Sequence, residues 1–178
     1  MSSYKIIFTG PVGAGKTTAI SSISDIPPVS TEEKATDEVQ LAKNKTTVAM
    51  DYGKVNLNGS ECVHLYGTPG QERFDFMWEI LTKGGLGLVL LLDNTRPKPF
   101  TDLSYFLSRF DSFIQDTHVA IGVTRMDINA KPTIDQYHDQ LQALGLNYPV
   151  FSVDARRKED IASLIKALVF SLDPCAVG

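Results

Sequence analysis

The sequence predicts a three-layer α/β domain with a mostly parallel six-stranded sheet and one antiparallel edge strand. Strand-like and helix-like segments alternate along nearly the whole chain, which favours a parallel sheet covered on both faces. The run 86–93 is apolar up to its final residue, which is typical of a central strand buried on both faces. A glycine-rich turn separates the first strand from the first helix. Because no linker or repeat interrupts the pattern, we expect residues 1–178 to form a single domain.

The predicted order of elements is β-α-β-β-α-β-α-β-α-β-α. The first strand covers residues 4–9 and the first helix residues 16–23, and Pro27 and Pro28 prevent that helix from continuing. Asn58-Gly59 is a strong hairpin signal, so the strands before and after it are expected to pair antiparallel. The polar segment 29–45 is interpreted as a functional loop. The later strands are predicted at 62–66, 86–93, 119–123 and 150–153, and the later helices at 71–83, around 103–110, and at 134–144 and 161–172.

Composition and charge exclude several classes of protein. The net charge is −4, so the chain lacks the basic field that nucleic acid or an anionic membrane would attract. Two cysteines do not imply a disulfide framework, which fits a reducing cytoplasm. No signal peptide precedes Tyr4, and no apolar run is long enough to span a bilayer. We therefore expect a cytoplasmic protein with no integral membrane segment and no nucleic-acid partner.

The strongest motif is the sequence GPVGAGKT at residues 10–17, between the first strand and the first helix. Glycines allow the backbone to curl so that several N–H groups point at one phosphate, and the helix N-terminus adds its positive dipole end. This is the context that a Walker A motif requires. Lys16 would reach the β- and γ-phosphates, and the Thr17 hydroxyl would ligate Mg²⁺. The residues predicted to bind the phosphates are Gly13, Ala14, Gly15, Lys16, Thr17 and Thr18.

Two further loops bear on the choice of base. Thr124, Arg125 and Asp127 fit the pattern [NT]-[KR]-x-D directly after a predicted strand. A carboxylate at Asp127 could accept hydrogen bonds from both N1–H and the 2-amino group of guanine, a pair that adenine lacks. Arg125 would lay its stem or guanidinium over the base plane. After the last strand, backbone N–H groups of Asp154, Ala155 and Arg156 could hold the guanine carbonyl oxygen.

With these motifs in order, the chain resembles the Ras-like small GTPases along nearly its whole length, and within them the prokaryotic, Mgl-type branch. The resemblance implies a P-loop NTPase G domain that binds GTP or GDP with Mg²⁺ and is regulated by a Roadblock-type partner. By resemblance, Thr47 ligates Mg²⁺ and contacts the γ-phosphate. Gly70 donates its N–H to the γ-phosphate, and Gln71 positions the attacking water. The residues to which it assigns catalysis are Gln71, Lys16 and Thr47, and those that would hold Mg²⁺ are Thr17 and Thr47.

Three positions depart from the family pattern. Gly67 stands where the family has an aspartate that holds Mg²⁺ through a water. Asp51 is the carboxylate nearest in sequence to Thr47, but an extended strand would place it about 13 Å away. It would substitute for the missing aspartate only if the strand bends, and we expect it instead to face solvent or a partner. Val12 replaces a small residue and could obstruct an arginine supplied by a partner. Arg125 replaces the more usual lysine.

Three functions are compatible with this pattern. The first is a GTP-hydrolysing molecular switch with slow intrinsic turnover, regulated by a partner protein. The second is a nucleotide-gated binding module with little hydrolysis, which Gly67 and Val12 favour. The third is an ATP-using P-loop enzyme such as a small kinase, against which Asp127 and the Gln71 segment argue.

Overall fold

The computed structural model describes residues 3–30, 51–57, 60–69 and 76–172. In these residues, strands and helices alternate around one central sheet. The strands are β1 (Ser3–Thr9), β2 (Val29–Ser30), β3 (Asp51–Asn56), β4 (Cys62–Gly67), β5 (Gly87–Asp93), β6 (His118–Thr124) and β7 (Val150–Ser152). The helices are α1 (Lys16–Ile23), α2 (Phe76–Thr82), α3 (Pro99–Arg109), α4 (Asp111–Gln115), α5 (Ile134–Ala143) and α6 (Lys158–Leu172).

The sheet has the order β2-β3-β4-β1-β5-β6-β7 and confirms the predicted α/β class. Strand β1 is parallel to β4 and β5, and β6 is parallel to β5 and β7, whereas β3 is antiparallel to β4. The two-residue strand β2 was not predicted. Val29 pairs with Tyr52 at the sheet edge, so the antiparallel strand β3 lies one position inside that edge. Pro27 and Pro28 favour extended backbone after α1, which suits this short pairing.

Two hydrophobic layers cover the sheet, as the alternation of side chains along its strands requires. In β1, Ile6 and Phe8 pack against α1 and α6, whereas Ile7 packs on the opposite side with α3 and α5. All residues of β5 are buried, which confirms the prediction of a central strand. The short helix α4 was not predicted, because it follows α3 after an interruption at Phe110.

Trp78 belongs to the hydrophobic core. Its side chain is 3% exposed and its ring stacks on those of Phe110 and Phe106, with centroids 4.9 and 5.5 Å apart. The indole N–H donates a hydrogen bond to the Pro69 carbonyl oxygen at 3.2 Å.

Candidate nucleotide-binding site

Three loops at the carboxyl edge of the sheet enclose a cavity of about 270 Å³ beside the N-terminus of α1. Ligands of parallel α/β sheets bind at this edge. The first loop is the glycine-rich turn after β1, the second follows β6 and the third follows β7. The cavity is lined by Ala14, Gly15, Thr18, Thr124, Arg125, Asp127, Ile128, Val153, Asp154, Ala155 and Arg156.

The glycine-rich turn needs its glycines for two physical reasons. Gly13 and Gly15 have φ angles of 79° and 106°, which L side chains rarely adopt. A Cβ at Gly10 would lie 2.1 Å from the Leu91 carbonyl oxygen, and one at Gly15 would lie 3.0 Å from the Ala155 Cβ. The absence of side chains therefore lets the turn approach both β5 and the third loop.

Lys16 lies across the inside of this turn and is only 7% exposed. Its ammonium group donates hydrogen bonds to the carbonyl oxygens of Gly10 and Pro11, at 2.7 and 2.8 Å. Burial lowers the pKa of Lys16 to about 8; the negative charge of Asp51 opposes this shift, and the positive charge of Arg96 adds to it. A phosphate brought to the turn would favour the charged form of Lys16.

The Thr17 hydroxyl donates a hydrogen bond to the Asp51 carboxylate, with Oγ1 and Oδ2 2.5 Å apart. The expectation that Asp51 faces solvent or a partner is therefore wrong. That expectation considered only the distance along the strand from Thr47. In the structure, Asp51 is paired with Gly67 on the neighbouring strand, and its side chain reaches Thr17 at the start of α1. A Cβ at Gly67 would lie 3.0 Å from the Asp51 Cβ and 3.2 Å from its Oδ2. The Asp51 side chain thus occupies the space that a side chain at position 67 would need.

Thr124 joins the second loop to the first. Its hydroxyl lies 3.0 Å from the Ala14 carbonyl oxygen and 3.1 Å from that of Leu92, and it can donate its proton to either. The side chain is 4% exposed, so it acts inside the protein as a link between β6, β5 and the glycine-rich turn. This link sets the distance between the glycine-rich turn and Asp127, which is exposed in the loop after β6.

Arg125, predicted to cover the base plane with its stem or its guanidinium, extends to the glycine-rich turn. It adopts a left-handed backbone conformation with φ of 60°, and its guanidinium donates to the Gly13 carbonyl oxygen at 2.7 Å and forms an ion pair with Asp93. The guanidinium is therefore engaged at the glycine-rich turn, so only the aliphatic stem of Arg125 is available to cover a base. Asp93, at the end of β5, was not identified from the sequence, although a charge that ends an apolar strand is a usable signal.

The third loop is organised by its own charged residues. Arg156 donates two side-chain hydrogen bonds to Asp154, at 2.9 and 2.7 Å, and these lower the pKa of that half-buried carboxyl to about 2. The backbone N–H groups of Asp154 and Arg156 donate to Asp160 and Asp154, respectively. In the described part of the chain, the Ala155 N–H makes no such hydrogen bond, so it is the backbone donor of this loop left for a ligand.

The structure thus brings Thr18 and all of the predicted base-binding residues to the border of one cavity, with Lys16 and Thr17 at the adjoining helix start. Thr47, Gly70 and Gln71 lie outside the described residues.

A family model described as conserved hypothetical ATP binding protein matches residues 8–173. The chain belongs to this family. The match includes all three loops of the cavity, so membership in the ATP-binding-protein family and the geometry of the site agree on nucleotide binding.

Known relatives of this family member include Ras-related proteins. RabC of Dictyostelium discoideum is 23% identical over 176 residues, which cover 96% of this chain and 84% of RabC. Human Rab-12 is 26% identical over 127 residues, covering 69% of this chain and 47% of Rab-12. The protein MJ1339 of Methanocaldococcus jannaschii is 31% identical over 93 residues, 52% of each chain. The chain therefore spans about half the length of MJ1339 and of Rab-12.

These relatives and the family match support a Ras-like P-loop nucleotide-binding fold. The mostly parallel sheet interleaved with helices and the cavity at its carboxyl edge are consistent with a P-loop α/β domain. Over the described ranges, we find no helix with the length and apolar character needed to cross a bilayer.

Proposed function

We propose that this protein is a Mg²⁺-dependent molecular switch that binds GTP and hydrolyses it slowly to GDP and phosphate. The observation that carries this proposal is that Asp127 borders the same cavity as the glycine-rich turn and Ala155. A nucleotide with its phosphates at the N-terminus of α1 would place its base between the second and third loops. The matching relatives named as Ras-related proteins support the same interpretation.

The choice of guanine over adenine rests on hydrogen-bond complementarity. The Asp127 carboxylate can accept from the N1–H and 2-amino groups of guanine, and the free Ala155 N–H can donate to its carbonyl oxygen. Adenine offers neither the paired donors nor the oxygen. A site built to hydrogen-bond a group of its ligand can reject an analogue lacking that group by about 10⁴-fold. The family description names ATP, so base choice is the first property to measure.

The residues near Thr17 fit a Mg²⁺ ion, because hydroxyl and carboxylate oxygens are the ligands this cation prefers. Thr17 would bind it directly, with Thr47 as a second ligand by resemblance. Asp51, 2.5 Å from the Thr17 hydroxyl, would accept a hydrogen bond from a water in the metal shell. By resemblance, this is the role of the family's aspartate, in whose place this chain has Gly67. When bound, the ion would neutralise developing charge on the phosphate oxygens.

Hydrolysis in this proposal depends on positioning and charge. Lys16 would release its hydrogen bonds to the turn carbonyls and neutralise the β- and γ-phosphates, while Gln71 would orient the attacking water. In Ras itself, unassisted turnover is about 10⁻⁴ s⁻¹, and an arginine supplied by a partner raises it by up to about 10⁵-fold. A regulatory partner, of Roadblock type by resemblance, would then set the lifetime of the GTP state in the cytoplasm.

One observation favours the second candidate, a nucleotide-gated binding module with little hydrolysis. Val12 is 56% exposed on the glycine-rich turn, where a branched side chain could obstruct an arginine from a partner. The variant Gln71→Leu separates the two candidates. A switch that hydrolyses GTP loses phosphate release in this variant, whereas a module without useful hydrolysis shows no change.

The deciding experiment measures base choice directly. Wild-type protein is titrated with labelled GDP in competition with unlabelled ATP, GTP and xanthosine triphosphate. We expect GTP to compete at least about 10³-fold better than ATP. In Asp127→Asn, the amide presents one donor and one acceptor, which match the C2 carbonyl and N1–H of xanthine, so preference should move to xanthosine triphosphate. Equal competition by ATP and GTP in the wild type would refute the proposal and favour an ATP-using enzyme.

A further inference from the structure

Asn94 directly follows β5 and is fully buried, with 0% of its surface exposed. Its side-chain amide donates to the carbonyl oxygens of Asn129 and Pro132, at 2.6 and 3.1 Å. Its side-chain oxygen accepts a hydrogen bond from the Tyr137 hydroxyl at 2.8 Å. Both donors and the acceptor of this amide are therefore used, and two of the three partners belong to the loop that carries Asp127.

The backbone of Asn94 reinforces the same connection. Its N–H donates to the Thr124 carbonyl oxygen at 3.1 Å, and its own carbonyl oxygen accepts from the Asn129 side-chain amide at 3.0 Å. Asn94 thus contacts the beginning of the second loop through Thr124 and the end of that loop through Asn129 and Pro132. One buried residue fixes both ends of the segment.

Asp127 lies between those two ends and is itself exposed. The turn around it is closed by the N–H groups of Ile128 and Asn129, which donate to the Arg125 carbonyl oxygen at 3.1 and 3.0 Å. Displacement of Asn129 would therefore also change the turn that presents the carboxylate. Asn94 and Asp127 are therefore linked through Asn129 and the backbone of this turn.

We propose that Asn94 is a positioning residue for base discrimination: it holds the 125–132 loop so that Asp127 meets the edge of the base. This inference rests on the proposed guanine specificity. A bidentate hydrogen bond tolerates little misplacement, because shifts of about 1 Å in a positioned group can cost on the order of 10²-fold in function. Contacts to phosphates come from the first loop and do not pass through Asn94.

The prediction is therefore selective. In Asn94→Ala, affinity for GDP should fall about tenfold or more, as expected when a charged hydrogen bond is weakened. Affinity for ADP, which offers no donor pair to Asp127, should change less than twofold. A purely structural role would lower both affinities together through the fraction of folded protein, so the ratio of the GDP and ADP dissociation constants is the diagnostic quantity.

Two control variants separate positioning from loss of stability. Tyr137→Phe removes the donor to Asn94 but leaves both amide contacts to the loop, so it should keep the wild-type ratio within about twofold. Leu141→Ala opens a cavity in the core beneath α5, where Leu141 is 1% exposed. It should lower the melting temperature without changing the ratio. All affinities are measured well below the lowest melting temperature of the set.

A second test variant covers the case in which Asn94→Ala does not fold. Asn129→Ala removes the side-chain amide that donates to the Asn94 carbonyl oxygen at an exposed position, together with its 3.4 Å hydrogen bond from the Lys131 N–H. It should lower GDP affinity about threefold with ADP affinity unchanged.

The outcomes distinguish a failure of guanine specificity from a failure of the role given to Asn94. If wild-type protein binds ADP as tightly as GDP, the proposed guanine specificity fails. If the wild type prefers GDP and Asn94→Ala retains that preference, Asn94 is not a positioning residue. If Asn94→Ala fails to fold, Asn129→Ala is the deciding variant. An unchanged ratio of its GDP and ADP dissociation constants then overturns the proposal.

Discussion

The hydroxyl of Thr17 and the carboxylate of Asp51 are joined by a 2.5 Å hydrogen bond, although they lie 34 positions apart on a helix and on an antiparallel strand. Asp51 can reach the start of α1 because its cross-strand partner is Gly67. In the Ras-like pattern the carboxylate stands on the strand that ends at position 67. Here the same function is proposed for a carboxylate on the neighbouring strand.

The first prediction concerns the metal dependence of Asp51. Asp51→Asn keeps the shape of the side chain but removes its charge, and loss of an outer-shell partner typically costs about 10–100-fold in metal affinity. Titration of Mg²⁺ against the rate of GDP release should show this loss. Asp116→Asn, which changes an exposed carboxylate after α4, serves as the charge-matched control. An unaltered Mg²⁺ midpoint in Asp51→Asn would show that this carboxylate is not part of the metal site.

The second prediction tests the exchange of positions between Asp51 and Gly67. Gly67→Asp should destabilise the protein by about 1–3 kcal/mol, because its Cβ would lie 3.0 Å from that of Asp51. Adding Asp51→Gly removes that contact and returns a carboxylate to the family position. The double variant should regain most of the lost stability and the Mg²⁺ affinity of the wild type. Additive effects in a double-mutant cycle from chemical denaturation would argue against a shared space.

The third prediction uses Trp78, the single tryptophan of the sequence, as a reporter of the bound phosphates. Its N–H contacts the Pro69 carbonyl oxygen, and Pro69 directly precedes Gly70, whose N–H is expected to meet the γ-phosphate. Exchange of GDP for a non-hydrolysable GTP analogue should therefore change the intensity or emission maximum of the intrinsic fluorescence. The variant Trp78→Phe, which contains no tryptophan, is the control for changes in signal caused by light absorption of the nucleotide itself. Identical spectra in both nucleotide states would mean that the γ-phosphate is not sensed at Pro69.

The sequence predicted those parts of the site in which neighbouring residues act together. Lys16 and Thr17 follow a glycine-rich turn, and Asp127 lies three residues after Thr124, so local spacing alone brings each group to its place. Asp51 could not be placed in this way, because its contact depends on which residue of β4 it faces. Asn94 was missed because its partners come from a loop and a helix beyond the next strand. Register and long-range loop contacts are properties of the folded chain, and no short pattern encodes them.

The last prediction concerns pH and the buried hydroxyl of Tyr137. Burial raises the pKa of Tyr137 above its ordinary value of 10.0, and the nearby charges of Asp102 and Asp93 act in the same direction. Above pH 10 the unfolded chain releases this proton while the folded chain retains it, so the free energy of unfolding falls as the pH rises. One such group contributes at most about 1.4 kcal/mol per pH unit.

Tyr137→Phe isolates this contribution, because it removes the ionisable group but keeps the ring that packs edge-on against Phe100, with centroids 5.1 Å apart. Denaturant unfolding between pH 9 and 11 should give a steeper loss of stability for the wild type than for the variant. The curves should run parallel below pH 9, where Tyr137 is protonated in both states. Parallel curves up to pH 11 would mean that the hydroxyl ionises as readily in the folded protein as in the unfolded chain, and that its hydrogen bond to Asn94 does not hold the proton.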